Sequence, residues 1–198
     1  MKKNKNKLIL PFLGNREYLH GTTMLKSLLE LIPKKTTFCL RIMKIIKSNV
    51  IEIKNCKTDS IINARMDWEK DNQKGSLFIT ESNPILPVRK EIYDEELILE
   101  KVNFKNSEGF ISYKKKFNLI SLIIPIFKKL LSVYSKNSKK RGQWMFSRLD
   151  SYFFFDSKDA DIKVELKYVK VDYISMANIF IDESYWGDIY FSWVLNNE

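Results

Sequence analysis

The chain holds a single histidine, His20, in the run Arg16-Glu17-Tyr18-Leu19-His20-Gly21-Thr22-Thr23. An imidazole ordinarily changes charge near neutral pH, so it can take up and return a proton under physiological conditions. His20 stands immediately before an apolar run with helical spacing. The start of a helix presents backbone N–H groups that suit a phosphate or a developing oxyanion. A lone histidine serves equally as a surface residue or as one hydrogen-bonded within a turn, and spacing sets no acid beside it.

Other chemistries find less material. There is no Gly-x-Ser-x-Gly elbow for a nucleophile. Gly14 and Gly21 are isolated, so no glycine-rich phosphate loop forms. Cys39 and Cys56, the only cysteines, lack metal-type spacing, and one histidine cannot complete a zinc site with them. Cys39 lies in an apolar run and reads as a small core residue, and the sparse cysteines fit a reducing, cytoplasmic setting. The acidic run Tyr93-Asp94-Glu95-Glu96 reads as a solvated turn. The expectation is a chain with no metal and no cofactor.

The elements that must position His20 are legible from periodicity. Met24, Leu25, Leu28, Leu29, Leu31 and Ile32 draw one apolar stripe, with Thr22 or Thr23 as cap and Pro33 as stop. Thr37 to Ile46 and Val50 to Ile53 read as strands, the latter after a Ser48-Asn49 turn. Ile62 to Trp68 alternates cleanly and pairs with Ser76 to Thr80 across a polar loop from Glu69 to Lys74. Glu91 to Asn103 is mixed, and Phe110 to Phe117 is extended. A second helix covers Asn118 to Tyr134, starting near Ser121 if Pro125 is to lie in its first turn. Ser135 to Gly142 is a basic loop. Trp144 to Leu149, Tyr152 to Phe155 and Ile162 to Tyr168 are strands. Ile174 to Asp182 and Asp188 to Leu195 form a hairpin joined through Glu183 to Gly187. Helix-then-strands occurs twice, an α+β pattern. The break at Ser82-Asn83-Pro84 and Pro87 divides the 198 residues into 1–83 and 84–198, as two halves or as parts of one domain.

Lys and Arg number 34 against 24 Asp and Glu, a formal charge of +10. Of those cations 28 are Lys and 6 are Arg, whereas Arg is favoured for reading phosphates and base edges. The excess reads as a solvated basic surface or as attraction for an acidic partner. Aromatics interleaved with cations, at Lys114 to Phe117 and Trp144 to Arg148, could stack exposed bases. The lysine-rich start, Met1 to Lys7, precedes an apolar run too short for a secretory signal. No stretch reaches the ~18–20 apolar residues that span a bilayer.

From Phe127 to Val194 the chain resembles the hotdog fold of acyl-thioester dehydratases and thioesterases, in which an antiparallel sheet wraps one long apolar helix. The carriers of the likeness are the helix around Ile120–Tyr134, the run Gln143-Trp144-Met145-Phe146-Ser147-Arg148-Leu149-Asp150, and strands near Ile162–Val171, Ile174–Asp182 and Asp188–Leu195. Tyr18 to Thr80 looks like a shorter version, with His20-Gly21 before its helix, which suggests a tandem arrangement. The resemblance implies acyl-thioester chemistry of fatty-acid or polyketide type. His20 would move a proton, assisted by Glu30, the one acid assigned to the first helix. Gly21, Thr22 and Thr23 would hold substrate, and the N–H groups at Thr23–Lys26 would polarise the thioester carbonyl. An apolar slot would bury the acyl chain at about 0.8 kcal/mol per CH₂. The partner would be an acidic acyl carrier protein or a CoA thioester. A single hotdog would pair as a homodimer, whereas two halves could act alone. Thr22-Thr23-Met24 stand where the dehydratases carry further glycine and proline, and the second helix has neither an acid nor a preceding histidine. A binding-only relative therefore remains open. So do two other readings: a basic module that binds nucleic acid, and a structural or assembly subunit.

Overall fold

Alternation of apolar and polar residues, which sends successive side chains to opposite faces of a strand, builds most of this chain. A computed structural model describes residues 7–13, 17–55, 61–82, 94–114, 119–136, 141–153 and 159–195. They fall into two units, Met1–Tyr93 and Asp94–Glu198.

In the first unit β1 (Lys7–Ile9) and α1 (Gly21–Leu29) precede β2 (Thr37–Ile42), β3 (Val50–Lys54), β4 (Ala64–Lys70) and β5 (Gln73–Glu81). The strands pair antiparallel in the order β1-β3-β5-β4-β2. Leu40, Ile51, Met66 and Ile79 are fully buried on one face. Arg41, Arg65, Asp67 and Glu52 alternate onto the other. Cys39 falls on that polar face and is partly exposed, not in the core, because Phe38 and Leu40 take the inward positions. Cys56 lies outside the described residues.

The β4–β5 connection is not a loop from Glu69 to Lys74 but the two residues Asp71 and Asn72, with φ of 46° and 64°. Asp and Asn tolerate that left-handed backbone, which matches the twist of a tight hairpin. Strand β2 stops at Ile42, short of Ile46, because the N–H groups of Met43 and Lys44 both donate to the Asn63 carbonyl (2.8 and 3.0 Å) and draw the chain out of the ladder.

The second unit contains α2 (Glu95–Leu99), β6 (Asn103–Lys105), β7 (Glu108–Lys114), α3 (Leu119–Ser135), β8 (Gly142–Ser151), β9 (Asp159–Lys170), β10 (Ile174–Ile181) and β11 (Ser184–Leu195). Its strands pair antiparallel in the order β8-β11-β10-β9-β7-β6. Helix α3 lies against β7, β8 and β9. Leu122 through Phe127 are six consecutive buried residues. That is more than one full turn of about 3.6 residues, so α3 is enclosed on every side at this level. The Phe127 ring meets Phe191 of β11 edge-on, centroids 4.9 Å apart. Gly109 lets β7 approach closely: a Cβ there would stand 2.5 Å from Ile126 Cγ2. The unit is thus α+β, an antiparallel sheet laid on a buried helix.

Pro125 is not in the first turn but seventh in α3. It removes one N–H from the helical ladder, and its burial within the apolar stretch offsets that loss. Tyr152 and Phe153 form a bend rather than a strand, and Phe154 and Phe155 lie outside the described residues. The connector expected at Glu183–Gly187 belongs mostly to β11, since the turn needs only Asp182 and Glu183 (φ 47° and 64°). A Cβ at Gly187 would strike the Asp150 carbonyl, so only glycine allows β11 and β8 to meet there. Much of the 83–93 break and of the Ser135–Gly142 loop lies outside the described residues. No described helix is long and apolar enough to cross a membrane.

Candidate functional site

His20 is the N-cap of α1, in extended backbone (φ −75°, ψ 139°), and its carbonyl accepts from Met24 N–H at 3.2 Å. Its side chain does not cap the helix. Instead Nδ1 lies 2.6 Å from the Thr22 hydroxyl oxygen, a hydrogen bond whose donor is set by the imidazole tautomer. The helix therefore begins at Gly21, upstream of the expected cap at Thr22 or Thr23. The N–H groups ahead of the first intrahelical bond, Met24 N–H to the His20 carbonyl, belong to Gly21, Thr22 and Thr23, not to Thr23–Lys26.

The start of α1 is buried. His20 is 4% exposed, Thr22 3% and Thr23 8%. Among the described residues the buried Thr23 hydroxyl has no hydrogen-bond partner, a state that costs about 1–3 kcal/mol. The arrangement thus holds a proton carrier, a run of N–H groups with the positive end of a helix dipole, and an unsatisfied hydroxyl within one turn. That set can stabilise an oxyanion and move one proton.

Glu30 is not brought to this site. It is the C-cap, its N–H donating to the Leu28 carbonyl, and its side chain is exposed. Because α1 starts and stops earlier than the apolar stripe suggested, the acid lies beyond the helix. A nine-residue helix at 1.5 Å per residue sets it about 15 Å from His20 along the axis. Leu29 and Leu31, expected inside, are 39% and 42% exposed for the same reason. Among the described residues no cluster of three or more His, Cys, Asp or Glu could hold a metal.

Sequence reasoning missed a second polar constellation. Asp150 of β8 and Asp188 of β11 are directly opposed, and the row continues through Asn178, Glu165 and Glu108. It occupies the face turned away from α3. Asp150 and Asp188 are 6% and 5% exposed. Asp188 accepts from Asn178 Nδ2 (2.5 Å), Tyr185 Oη (2.6 Å) and Tyr152 Oη (3.1 Å). Asp150 accepts from Arg148 Nη2 at 2.6 Å and Nε at 3.1 Å. Burial first, then the Asp188 carboxylate, push the Tyr185 and Tyr152 phenols above their ordinary range. Asp and Asn alternating with apolar residues near the chain end were the available signal, but only strand register aligns them.

No protein-family profile matches the chain, and no curated protein does. Solved structures similar to it include the dehydratase domain of RzxB from Pseudomonas fluorescens, at 9% identity, TM-score 0.47, covering 91% of this chain and 92% of that one. The dehydratase domain from the CurJ module of curacin polyketide synthase is similar at 9% identity and TM-score 0.48, covering 97% and 87%. A conserved protein of unknown function with a hotdog fold from Alicyclobacillus acidocaldarius is similar at 10% identity and TM-score 0.45, covering 93% and 89%.

Proposed function

We propose that the protein is a hotdog-like acyl-thioester hydrolase whose reaction centre is the start of α1, its two units being tandem halves of that architecture. The observation that carries the reading is the buried imidazole of His20 sharing a hydrogen bond with Thr22, one turn from an unsatisfied Thr23 hydroxyl. Hydrolysis needs one proton carrier and one oxyanion site. Water attacks the thioester carbon while His20 accepts its proton. The N–H groups of Gly21, Thr22 and Thr23 hold the oxyanion. The C–S bond then breaks, and the thiolate leaves with the proton that His20 returns. Dehydration of a 3-hydroxyacyl thioester takes a proton from carbon and gives one to the departing hydroxyl. The two transfers of a dehydration are at different carbons, and Glu30, the acid assigned to share them, is at the far end of α1. In hydrolysis one residue takes and returns the same proton at one carbon, so hydrolysis is the reading preferred.

The thioester would be carried on CoA or an acidic acyl carrier protein, to which a +10 chain is electrostatically matched. Binding of nucleic acid is less well supported. On the outer face of the second unit Arg148 is tied to Asp150, Lys163 to Glu108 and Glu165, and Lys167 to Glu165, which leaves little net positive charge for phosphates.

Free-thiol release from medium- and long-chain acyl-CoA and acyl-carrier substrates tests the reading, with His20→Ala as control. Turnover by the wild type and a loss of about 100-fold or more in a folded His20→Ala protein are expected. Undiminished turnover by His20→Ala removes the assigned role. No turnover together with no retained acyl thioester in native mass spectrometry ends the proposal.

A further inference from the structure

On the outer face of the first unit, two of the chain's six arginines stand directly opposite one another, Arg41 on β2 and Arg65 on β4. Like charges opposed across a ladder repel, and the two arginines stand out in a chain that uses lysine for 28 of its 34 cations. The row continues through Phe78 of β5 to Lys54 of β3. Three cations thus lie in one line across four strands.

The geometry is held rather than loose. Asp67 Oδ1 accepts from Arg65 Nε (2.7 Å) and from the Ser76 hydroxyl (2.6 Å), while Oδ2 accepts from Arg41 Nη1 (2.9 Å). The Arg65 guanidinium also lies over the Phe78 ring, 5.2 Å from its centroid. One carboxylate therefore aligns two guanidiniums while neutralising only one of them. Both stay accessible, with side chains 44% and 43% exposed. The bonds to Asp67 and Ser76 do not use all five N–H donors of either fork. Among the described residues Lys54 meets Glu52 at 4.0 Å, and Glu52 is held more closely by Lys7 at 3.1 Å.

From this we infer that Arg41, Arg65 and Lys54 form a binding site for a phosphate monoester, with Asp67 and Ser76 as positioning residues. Two forks side by side match the several oxygens of a phosphoryl dianion, which a single lysine meets only as a point charge. The site is separate from the reaction centre proposed at His20, so either can fail without the other.

The test is titration of the full chain with inorganic phosphate and with a nucleoside 3′-monophosphate, followed by the ¹H–¹⁵N signals of the arginine Nε–H groups. Saturable shifts at Arg41 and Arg65 are expected. Arg41→Gln, a change at a half-exposed side chain, weakens binding about tenfold, and Arg41→Lys falls between the two. Tighter binding of the nucleotide assigns the phosphoryl group to a larger molecule, and equal binding makes the phosphoryl group alone the recognised element. Shifts that do not saturate, or equal binding by wild type and Arg41→Gln, overturn the proposal.

Discussion

Nδ1 of His20 and the hydroxyl oxygen of Thr22 lie 2.6 Å apart, inside a helix start that is more than nine-tenths buried. The bond orients the imidazole ring at the start of α1. Thr22→Val removes the hydroxyl while keeping the shape. Thioester turnover is expected to fall about 10- to 100-fold in kcat with KM nearly unchanged, because orientation rather than binding is lost. Thr22→Ser should restore most of it. Equal kcat in Thr22→Val and wild type would remove Thr22 from the mechanism.

Glu30 supplies the complementary control. It is exposed at the C-cap of α1, so Glu30→Gln should leave turnover within about twofold and stability within about 0.5 kcal/mol. A loss comparable to that of His20→Ala in the same assay would show that the carboxylate reaches the reaction.

Gly109 and Ile126 test the enclosure of α3. A methyl group at position 109 would press on Ile126 Cγ2, so Gly109→Ala should destabilise the protein by about 1–3 kcal/mol in urea unfolding. Ile126→Ala in the same chain should recover part of that loss, since the two changes share one space.

The tyrosines over Asp188 predict an alkaline limit. Their folded-state pKa lies above the ordinary value of 10.0, so the folded state keeps protons that the unfolded chain releases. Stability is whole below about pH 10 and falls as pH rises beyond it. Tyr185→Phe removes a 2.6 Å bond to a buried carboxylate and should cost about 1.5 kcal/mol at neutral pH. It should also flatten the alkaline decline in thermal melts, and an unchanged slope would contradict the assignment.

Asp67 gives the acid counterpart. Burial alone would raise its carboxyl, but the Ser76 hydroxyl and the Arg65 and Arg41 guanidiniums outweigh that and hold it below the ordinary 3.8. Its contribution to stability is therefore present above about pH 4 and lost as pH falls through the lowered value. Asp67→Asn should lose less stability between pH 5 and pH 2 than the wild type does, as read by urea midpoints.

Several features were legible because they are local. A histidine ahead of an apolar stripe, two apolar helices, and strands that alternate strictly, such as Ile162–Tyr168, follow from spacing within a dozen residues. Helix ends were less legible. A shift of α1 upstream to Gly21 exchanged the expected caps for His20 and left Glu30 outside, because ends are set by a few competing hydrogen bonds rather than by periodicity. Pro125 reads as a helix breaker from its backbone alone, and burial in α3 overrides it.

The amino-acid order by itself determined which residues are apolar, where the chain can turn, and that one imidazole stands at a helix start. Register is a different kind of quantity. That Asp150 meets Asp188, and Arg41 meets Arg65, depends on strands far apart in sequence sliding to a common alignment, and a slip of one residue would send each side chain to the opposite face. The buried pair Asp150 and Asp188 and the paired arginines therefore belong to the tertiary structure alone, because only the packing of whole faces selects one alignment among several that local pattern allows.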